Sequence, residues 1–314
     1  MRDIAVFGGS AHPELAAEVC AHLGVPLHPV RVQRFATDCL GVQLQANCRE
    51  RDVFLIQPLV KPVQENLVEL LLMLDAARGA SAARTTVVMP YYAYARSDKK
   101  DAPRISIGGR LVADLLVAAG ASRMLAMTLH SPQVHGFFSV PVDHLHALRE
   151  LAAHFRGYDL SNSTVVSPDL GNAKEASHFA RLLGARVAAG AKQRFADDRV
   201  EISTVIGDVA GRDVIVLDDE IARGSTIIEL LARLRERNVR SIRIACTHGL
   251  FAGGALKRIA DQPDVLEIVC TNTVPIPAEE RVPKLEILSI APALAEAMRR
   301  IHDGESVSAL FDPA

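Results

Sequence analysis

The stretch Val214-Ile215-Val216-Leu217-Asp218-Asp219-Glu220, continued by Ile221-Ala222-Arg223-Gly224-Ser225-Thr226, decides the fold of this chain. It opens with four apolar residues, most of them β-branched, as expected for a strand that is buried on both faces of a parallel sheet. Beyond it, apolar residues recur with helical spacing and predict a helix with one apolar face: Ile227, Leu230, Leu231 and Leu234. The stretch therefore predicts a strand, a loop and a helix within an α/β protein.

The loop between this strand and helix has the residues of a ligand site. Gly224, Ser225 and Thr226 stand where the helix begins, and the free backbone N–H groups at such a position favour a phosphate. Asp218 and Asp219, at the strand end, could bind sugar hydroxyls or a metal ion. An ordinary strand–turn–helix is the alternative, with Ser225 or Thr226 as the N-cap and both aspartates solvated.

The composition is that of a protein with a large core and a charged surface. The chain has 314 residues, of which 49% are hydrophobic and 23% charged, enough for two domains. The formal net charge of −2 gives no reason to expect nucleic acid as a partner. No apolar run approaches the length of a membrane span, and the scattered cysteines favour free thiols in a reducing cytoplasm.

Short apolar strands alternate with amphipathic helices along the chain, which predicts largely parallel sheets. The predicted strands cover residues 4–7, 52–57, 85–89, 123–129, 164–166, 214–217, 242–246 and 266–269. The predicted helices lie near residues 13–23, 66–77, 107–119, 173–183, 227–238 and 292–300. The pattern restarts near Ser161, and a domain boundary is expected around 143–161, where Gly157 and residues 161–163 are polar and turn-rich. We therefore expect two domains, 1–145 and 146–289, and a C-terminal helix and tail, 290–314, that can pack back on the first domain.

Further loops after predicted strands carry charged residues. The basic residues of one loop suit a polyphosphate: Arg96, Lys99, Lys100 and Arg104. His130, after another strand, can bind a metal-bound nucleotide or cap a helix, and Asp169 places an acid before a helix. The polar stretch 191–198 has no period and predicts a mobile loop that includes Lys192 and Arg194. Taken singly, these features are better explained by a solvated basic loop, a structural histidine and, for 191–198, a solvated hairpin.

Together and in this order, the stretches resemble the ribose-phosphate pyrophosphokinase family over nearly the whole chain, from Ile4 to Phe311. The most specific matches are Pro90–Asp98, similar to the family's P-Y-Y-x-Y-A-R-x-D, and His130–Phe138, similar to its H-x-x-Q-x-x-G-F-F. Three shorter matches are Val166–Asp169, the Asp218-Asp219 pair and the tail Ser306–Phe311.

The resemblance implies two tandem α/β domains with mainly parallel sheets, each like a type I phosphoribosyltransferase. It implies transfer of the β,γ-diphosphoryl group of MgATP to O1 of ribose 5-phosphate (EC 2.7.6.1), with AMP leaving. Mg2+ is then the cofactor, and ATP and ribose 5-phosphate are the substrates, with no nucleic acid or membrane as partner. The family also implies a cytoplasmic homo-oligomer built from dimers, with a hexamer as one option.

The resemblance further implies a role for each matching residue. The implied ATP-binding residues are Phe35, Arg96, Ser97, Asp98 and His130. The implied ribose 5-phosphate-binding residues are Asp169, Asp218, Asp219, Ala222, Arg223, Gly224, Ser225 and Thr226. His130 and Asp169 would contact the metal, and Lys192 and Arg194 would act in catalysis from a mobile loop that closes over the nucleotide.

Several positions depart from the family pattern, among them Thr128, which replaces an acid, the turn at 247–254, and two ligand motifs. The adenine motif F-x-D-G-E reads Phe35-Ala36-Thr37-Asp38-Cys39, so both in-register carboxylates are absent. Asp38 is shifted by one position, and in an extended segment its side chain would point to the opposite face. The phosphate loop D-T-A-G-T reads Ala222–Thr226, in which Arg223 either adds a phosphate contact or obstructs the pocket. Three functions stay open: an active diphosphokinase, a non-catalytic regulatory subunit, and a phosphoribosyltransferase that consumes phosphoribosyl pyrophosphate.

Overall fold

The computed structural model of the chain describes residues 3–196 and 199–310. Contacts between Cα atoms divide the chain into two compact units. Unit 1 comprises Met1–His146, Thr273–Pro275 and Ile290–Ala314, and unit 2 comprises Ala147–Asn272 and Ile276–Ser289. The labels of strands and helices run along the whole chain, so the last helix, which belongs to unit 1, carries the highest number.

Unit 1 contains a six-stranded sheet in which every neighbouring pair of strands is parallel. Its strands are β1 (Ile4–Gly8), β2 (Leu27–His28), β5 (Asp52–Ile56), β6 (Arg84–Met89), β7 (Arg123–Met127) and β8 (Val142–Leu145), in the order β2-β1-β5-β6-β7-β8. A separate antiparallel hairpin consists of β3 (Val30–Arg34) and β4 (Leu40–Leu44). The helices of unit 1 are α1 (Pro13–Leu23), α2 (Val63–Gly79), α3 (Gly108–Ala119) and α8 (Ala291–Asp303).

The burial of the central strands explains why these segments form a sheet. All five residues of β5 and five of the six residues of β6 are buried, as expected where helices cover both faces. On α2, Leu70, Met73 and Leu74 are fully buried, and Leu116 of α3 joins them in the same core. Removal of this apolar surface from water, at about 25 cal/mol per Å2, is the main term that stabilises the unit.

The helix α8 lies far along the chain from the sheet that it joins, and it packs against α1. Arg84 Nη2 donates to the carbonyl of Ile301 at 3.1 Å and to that of His302 at 2.9 Å. The carboxylate of Asp52 is fully buried, pairs with Arg84 and lies 2.9 Å from His302 Nδ1. Because a buried charge needs such partners, Asp52 and Arg84 fix the C-terminal end of α8 against the sheet.

Unit 2 contains a seven-stranded sheet that is parallel except for an antiparallel hairpin at one edge. Its strands are β9 (Ser163–Ser167), β10 (Arg186–Ala196), β11 (Arg199–Ile206), β12 (Asp213–Ile221), β13 (Ser241–Gly249), β14 (Val265–Thr271) and β15 (Leu285–Leu288), in the order β11-β10-β9-β12-β13-β14-β15. Its helices are α4 (Leu148–Phe155), α5 (Ala173–Leu183), α6 (Ser225–Glu236) and α7 (Ala255–Ala260).

In each sheet there is one pair of neighbouring strands at which the order of strands along the chain changes direction across the sheet. In unit 1 the chain passes from β1 to β2 on one side, and from β5 through β8 on the other. In unit 2 it passes from β9 to β10 on one side, and from β12 through β15 on the other. The crevice at the carboxyl ends of such a pair is the usual ligand site of open α/β sheets. In unit 2 that pair carries Asp218 on β12 and Asp169 just after β9.

The predicted fold class is confirmed, since both sheets are mainly parallel and their strands alternate with helices along the chain. Three local expectations are wrong or incomplete. Residues 191–196 do not form the predicted mobile loop but continue β10, because their backbone groups find partners on β11, which agrees with the hairpin that was the alternative; residues 197–198 lie outside the described residues. The boundary region 143–161 contains a helix that was not predicted, α4, whose apolar face is buried, whereas the turns expected at Gly157 and at 161–162 are present. The β3–β4 hairpin was not predicted.

Within residues 3–196 and 199–310, no helix has both the length and the apolar character needed to cross a bilayer.

Candidate active site

The predicted phosphate loop joins β12 to α6. The N-cap of α6 is Gly224, whose φ of 71° lies in the left-handed region that glycine adopts without steric cost. A Cβ at this position would also lie 3.0 Å from Ile259 Cδ1. The alternative that Ser225 or Thr226 caps the helix is wrong, because α6 begins at Ser225 and has no side-chain cap. The hydroxyls of Ser225 and Thr226 are therefore not used by a cap, and the loop retains the free N–H groups of a helix start.

The neighbouring connection between β13 and α7 supports this loop. The backbone N–H groups of residues 251–252 donate to the carbonyls of residues 221–222 at 3.0 and 2.9 Å. Arg258 Nη2 donates to the carbonyl of Arg223 at 2.7 Å, and a second bond from Arg258 reaches the carbonyl of Gly253. Hydrogen bonds to the carbonyls of residues 221–223 thus hold the backbone of the loop, whereas the Arg223 side chain is exposed.

Three carboxylates meet at the carboxyl ends of β9 and β12. The strand β12 runs on through Asp218 and Asp219, and the backbone N–H of Asp219 donates to Asp218 Oδ1 at 3.0 Å. Asp169 Oδ1 accepts the backbone N–H of Asn172 at 3.1 Å. Burial, followed by the charge of Asp219 and then that of Asp169, raises the pKa of Asp218 well above its usual value. A site that raises a carboxyl pKa in this way favours a bound cation or a hydroxyl donor.

On unit 1, the loop that contains Arg96, Ser97 and Asp98 is tied to the start of α3. Ser97 Oγ accepts the backbone N–H of Gly108 at 2.8 Å, and the Ser97 carbonyl accepts that of Gly109 at 2.9 Å. A Cβ at Gly109 would lie only 2.9 Å from the carbonyl oxygen of residue 94, so the close approach requires glycine. The Arg96 side chain is exposed on this anchored loop.

The loop that carries His130 leaves β7 through a left-handed residue, Thr128, with φ 42°. The backbone N–H of Thr128 donates to the carbonyl of Leu145 at 2.7 Å, and that of Leu129 donates to His144 Nε2 at 2.8 Å. His144 Nε2 accepts this bond, so the imidazole holds no proton at that nitrogen. The exposed His130 therefore follows two residues whose backbone is fastened to β8.

Phe35 lies at the tip of the β3–β4 hairpin, and 49% of its surface is exposed. The backbone N–H of Phe35 donates to the carbonyl of Cys39 at 2.9 Å, and Asp38 has a left-handed φ of 69°. The segment 35–39 is a tight turn and not an extended segment, so the alternation of side-chain faces does not apply to Asp38. Asp38 pairs with Arg34 at 2.6 Å, and this pairing orients its carboxylate.

Lys192 and Arg194 lie on β10, where the backbone pairs with Ile202 and Val200 of β11. The structure does not describe their side chains.

The structure brings together Asp169, Asp218 and Asp219 in unit 2, and it brings Asp98 close to the His130 loop in unit 1 through Ser131. The sequence analysis missed the roles of Ser131, His144 and Arg258. No spacing rule finds them, because each acts on a loop that is distant in sequence.

These features define a class of protein. Two α/β units with ligand loops at strand carboxyl ends, one with paired aspartates before a glycine-capped helix, are typical of type I phosphoribosyltransferase-like proteins. Comparison with known families agrees. Residues 4–120 match the N-terminal domain of ribose phosphate pyrophosphokinase, and residues 191–312 match the phosphoribosyl synthetase-associated domain.

Individual relatives extend the match to the whole chain. A Streptomyces coelicolor protein, provisionally named a ribose-phosphate pyrophosphokinase, is 83% identical over 99% of this chain and 98% of its own. The ribose-phosphate pyrophosphokinase of Deinococcus radiodurans is 47% identical over 98% of this chain and 97% of its own. The crystal structure of phosphoribosylpyrophosphate synthetase from Mycobacterium smegmatis superposes with a TM-score of 0.91 at 38% identity, over 96% of this chain and all of that one.

The chain belongs to the ribose-phosphate pyrophosphokinase family. It is accordingly an ATP-using diphosphokinase of nucleotide biosynthesis. Neither the non-catalytic subunit nor the phosphoribosyltransferase is favoured, since the relatives are named as pyrophosphokinases over the full length of the match.

Proposed function

We propose specific residue roles for the transfer of the diphosphoryl group of ATP to O1 of ribose 5-phosphate, with residues 1–145 holding the nucleotide and residues 146–289 holding the sugar phosphate. The O1 hydroxyl attacks the β-phosphorus and releases its proton to solvent, the bond from that phosphorus to the α–β bridging oxygen breaks, and AMP leaves. The meeting of Asp169 with Asp218 and Asp219 beside the Gly224 helix start is the observation that carries this proposal.

The sugar phosphate would be held by β12 and the start of α6. The N–H groups of the loop Ala222–Thr226 suit the 5-phosphate, because a helix start favours an anion. The exposed Arg223 adds a cation beside that phosphate. Asp218 and Asp219 accept bonds from the ribose hydroxyls, which satisfies two carboxylates that otherwise repel each other.

The nucleotide would be held by unit 1. The exposed Arg96 contacts the phosphates, and Ser97 and Asp98 lie on the same anchored loop. His130 reaches the metal-bound phosphates from a loop whose backbone is fastened to β8. Phe35, exposed at a hairpin tip, offers a ring face for stacking on the base.

The donor atoms fit Mg2+, which prefers oxygen ligands. Asp169 supplies a carboxylate at a crowded acidic site, where a divalent cation would relieve the repulsion that raises the pKa of Asp218. The imidazole of His130 is a nitrogen donor and therefore fits a contact through phosphate or metal-bound water. When bound, Mg2+ neutralises charge on the oxygens of the transferred group.

Lys192 and Arg194 would supply the remaining positive charge. Diphosphoryl transfer needs little covalent help from the protein and depends on positioning and on cations at the developing charge. Two basic residues on an edge hairpin suit that role, because an edge strand can move without disturbing the central sheet.

We also propose that the protein is a cytoplasmic homo-oligomer built from dimers. All five cysteines are free thiols and four of them are buried, which suits a reducing compartment. Exposed leucines on α3, Leu111 at 55% and Leu115 at 40%, offer apolar surface for a subunit contact.

A coupled assay for AMP release tests the proposed function. The purified chain with MgCl2, ATP and ribose 5-phosphate is expected to release one AMP for each phosphoribosyl pyrophosphate formed. A protein that releases AMP only after addition of a second synthetase would support the regulatory-subunit alternative. Release of AMP without ribose 5-phosphate would contradict the assigned reaction.

A further inference from the structure

Two ligand loops of unit 1, one after β6 and one after β7, are joined by a side-chain hydrogen bond between Ser131 and Asp98. We infer that Ser131 is a positioning residue that holds the Asp98 carboxylate in place for nucleotide binding. This inference rests on the proposed nucleotide role of Asp98 and adds to it a residue that has no part in the reaction itself.

The geometry gives the direction of the bond. Ser131 Oγ lies 2.6 Å from Asp98 Oδ2 and 2.8 Å from Gln133 Oε1. A hydroxyl has one proton, and an ionised carboxylate can only accept, so Ser131 donates to Asp98. Gln133 Oε1 is a second, neutral acceptor at a longer distance, so the single proton is directed to the nearer, charged carboxylate.

Ser131 is only 6% exposed, so its hydroxyl is shielded from water that could replace it. A charge-assisted bond of 2.6 Å in such a place is stronger than one between neutral groups.

The other end of the His130 loop is fixed as well. The backbone N–H of Leu129 donates to His144 Nε2 at 2.8 Å, one residue before His130. His130 therefore lies between a residue anchored to β8 and a residue anchored to Asp98. This arrangement couples the positions of Asp98 and His130 before any nucleotide binds.

Loss of the Ser131 hydroxyl would free Asp98 to rotate. The nucleotide would then have to order the carboxylate at the cost of its own binding free energy. The effect should fall on ATP alone, because the contacts of Ser131 in unit 1 involve only the two nucleotide loops.

The test compares Ser131→Ala, Ser131→Thr and Ser122→Ala in the full-length protein. Affinity for the Mg2+ complex of a non-hydrolysable ATP analogue is measured by calorimetry, and KM for both substrates is measured by AMP release. Ser131→Ala is expected to lose about fivefold to tenfold in analogue affinity and to raise KM for ATP by a similar factor. Its KM for ribose 5-phosphate should stay within about twofold of wild type, since one positioned hydroxyl acts only locally.

The two other variants separate positioning from folding. Ser131→Thr keeps the hydroxyl and should restore most of the affinity. Ser122 has a hydroxyl bonded to the carbonyl of Thr85 at 3.0 Å in the same unit, and Ser122→Ala should bind the analogue like wild type. Unchanged analogue affinity in Ser131→Ala, or an equal loss in Ser122→Ala, would overturn the inference. Because analogue binding needs no turnover, it reports on Ser131 even if the proposed reaction is not observed.

Discussion

At the scale of single residues, the candidate site brings together carboxylates whose like charges repel one another. Asp218 lies where burial and two neighbouring carboxylates disfavour its ionised form and raise its pKa. In the proposed function, hydroxyl donors or a cation offset this cost when they bind.

Asp218→Asn tests this view. The change removes one negative charge and weakens an acceptor for the ribose hydroxyls, so the affinity for ribose 5-phosphate is expected to fall about tenfold, or ~1.4 kcal/mol. The affinity for the ATP analogue, measured by calorimetry, should be nearly unchanged. If Asp218→Asn instead loses affinity for the ATP analogue and keeps its affinity for ribose 5-phosphate, the assignment of Asp218 to the sugar site is wrong.

Asp213, at the other end of β12, behaves in the opposite way. Hydrogen bonds from Arg240, with Nε at 2.8 Å from Oδ1, and from Ser241 Oγ hold the pKa of Asp213 below its usual value of 3.8. A pKa that is lower in the folded state than in the unfolded state stabilises the fold above the unfolded value. That contribution is lost as pH falls below about 3.8.

Asp213→Asn is therefore expected to lower the free energy of unfolding at pH 7 by about 1 kcal/mol, a modest value because Arg240 is exposed. Urea unfolding at pH 7 and near pH 3 checks this, and the gap between variant and wild type should narrow at the lower pH. Asp261→Asn, at an exposed position of the same unit, serves as the control. An equal gap at both pH values would contradict the role of the ionised carboxylate.

At the scale of elements, two antiparallel hairpins carry residues to which we assign roles toward the nucleotide and in catalysis. The β3–β4 hairpin presents Phe35 at its tip, and the β10–β11 hairpin carries Lys192 and Arg194. Both consist of strand pairs at or beyond the edge of a sheet, where the backbone has fewer neighbours than in the centre. Such elements can adjust to a ligand while the central strands stay fixed.

The composition of the first hairpin tip predicts weak selection among bases. Strong recognition of adenine requires fixed acceptors for its N–H groups, and Thr37 and Cys39 replace the family's two acids there. Stacking on Phe35 accepts any base. We expect kcat/KM for ATP to exceed that for GTP by less than about a hundredfold (~2.7 kcal/mol). A larger preference, measured with the two triphosphates side by side, would mean that other residues recognise adenine.

The second hairpin predicts a defect in turnover. Lys192→Ala and Arg194→Ala are each expected to lower kcat by about a hundredfold or more (~3 kcal/mol), with little change in KM for ribose 5-phosphate, because cations at the developing charge act mainly on the transition state. Gln193→Ala, between them on the same strand, is the matched control and should keep wild-type kcat. If both basic variants turn over like wild type, the catalytic assignment fails.

At the scale of the whole molecule, the exposed apolar surface predicts association between copies of the chain. Leu111 and Leu115 lie one turn apart on α3, and Val68 of α2 is 46% exposed in the same unit. Burial of such side chains stabilises a dimer by the same term that stabilises the core.

Sedimentation equilibrium at micromolar concentration is expected to give a mass that is an even multiple of 33.9 kDa. Leu111→Glu with Leu115→Glu should lower that mass if the α3 surface forms a contact, because a buried unpaired carboxylate is costly. A wild-type mass of 33.9 kDa alone would exclude the proposed oligomer.

The sequence by itself determined the elements whose pattern is local. The helices α1 and α5 begin and end at the predicted residues because their apolar spacing is regular and a left-handed glycine ends each of them, Gly24 and Gly184. The phosphate loop and the paired aspartates could be found in the same way, since strand, loop and helix follow one another without interruption.

Only the tertiary structure decided how distant segments meet. Ser131 and Asp98 are 33 residues apart, and Arg84 binds the carbonyl of His302 across 218 residues. For residues 191–196 the sequence left a loop and a hairpin open, and the pairing of β10 with β11 decided for the hairpin. Hydrogen bonds of this kind form only after packing has removed the segments from water, so their partners depend on the whole fold and not on spacing along the chain.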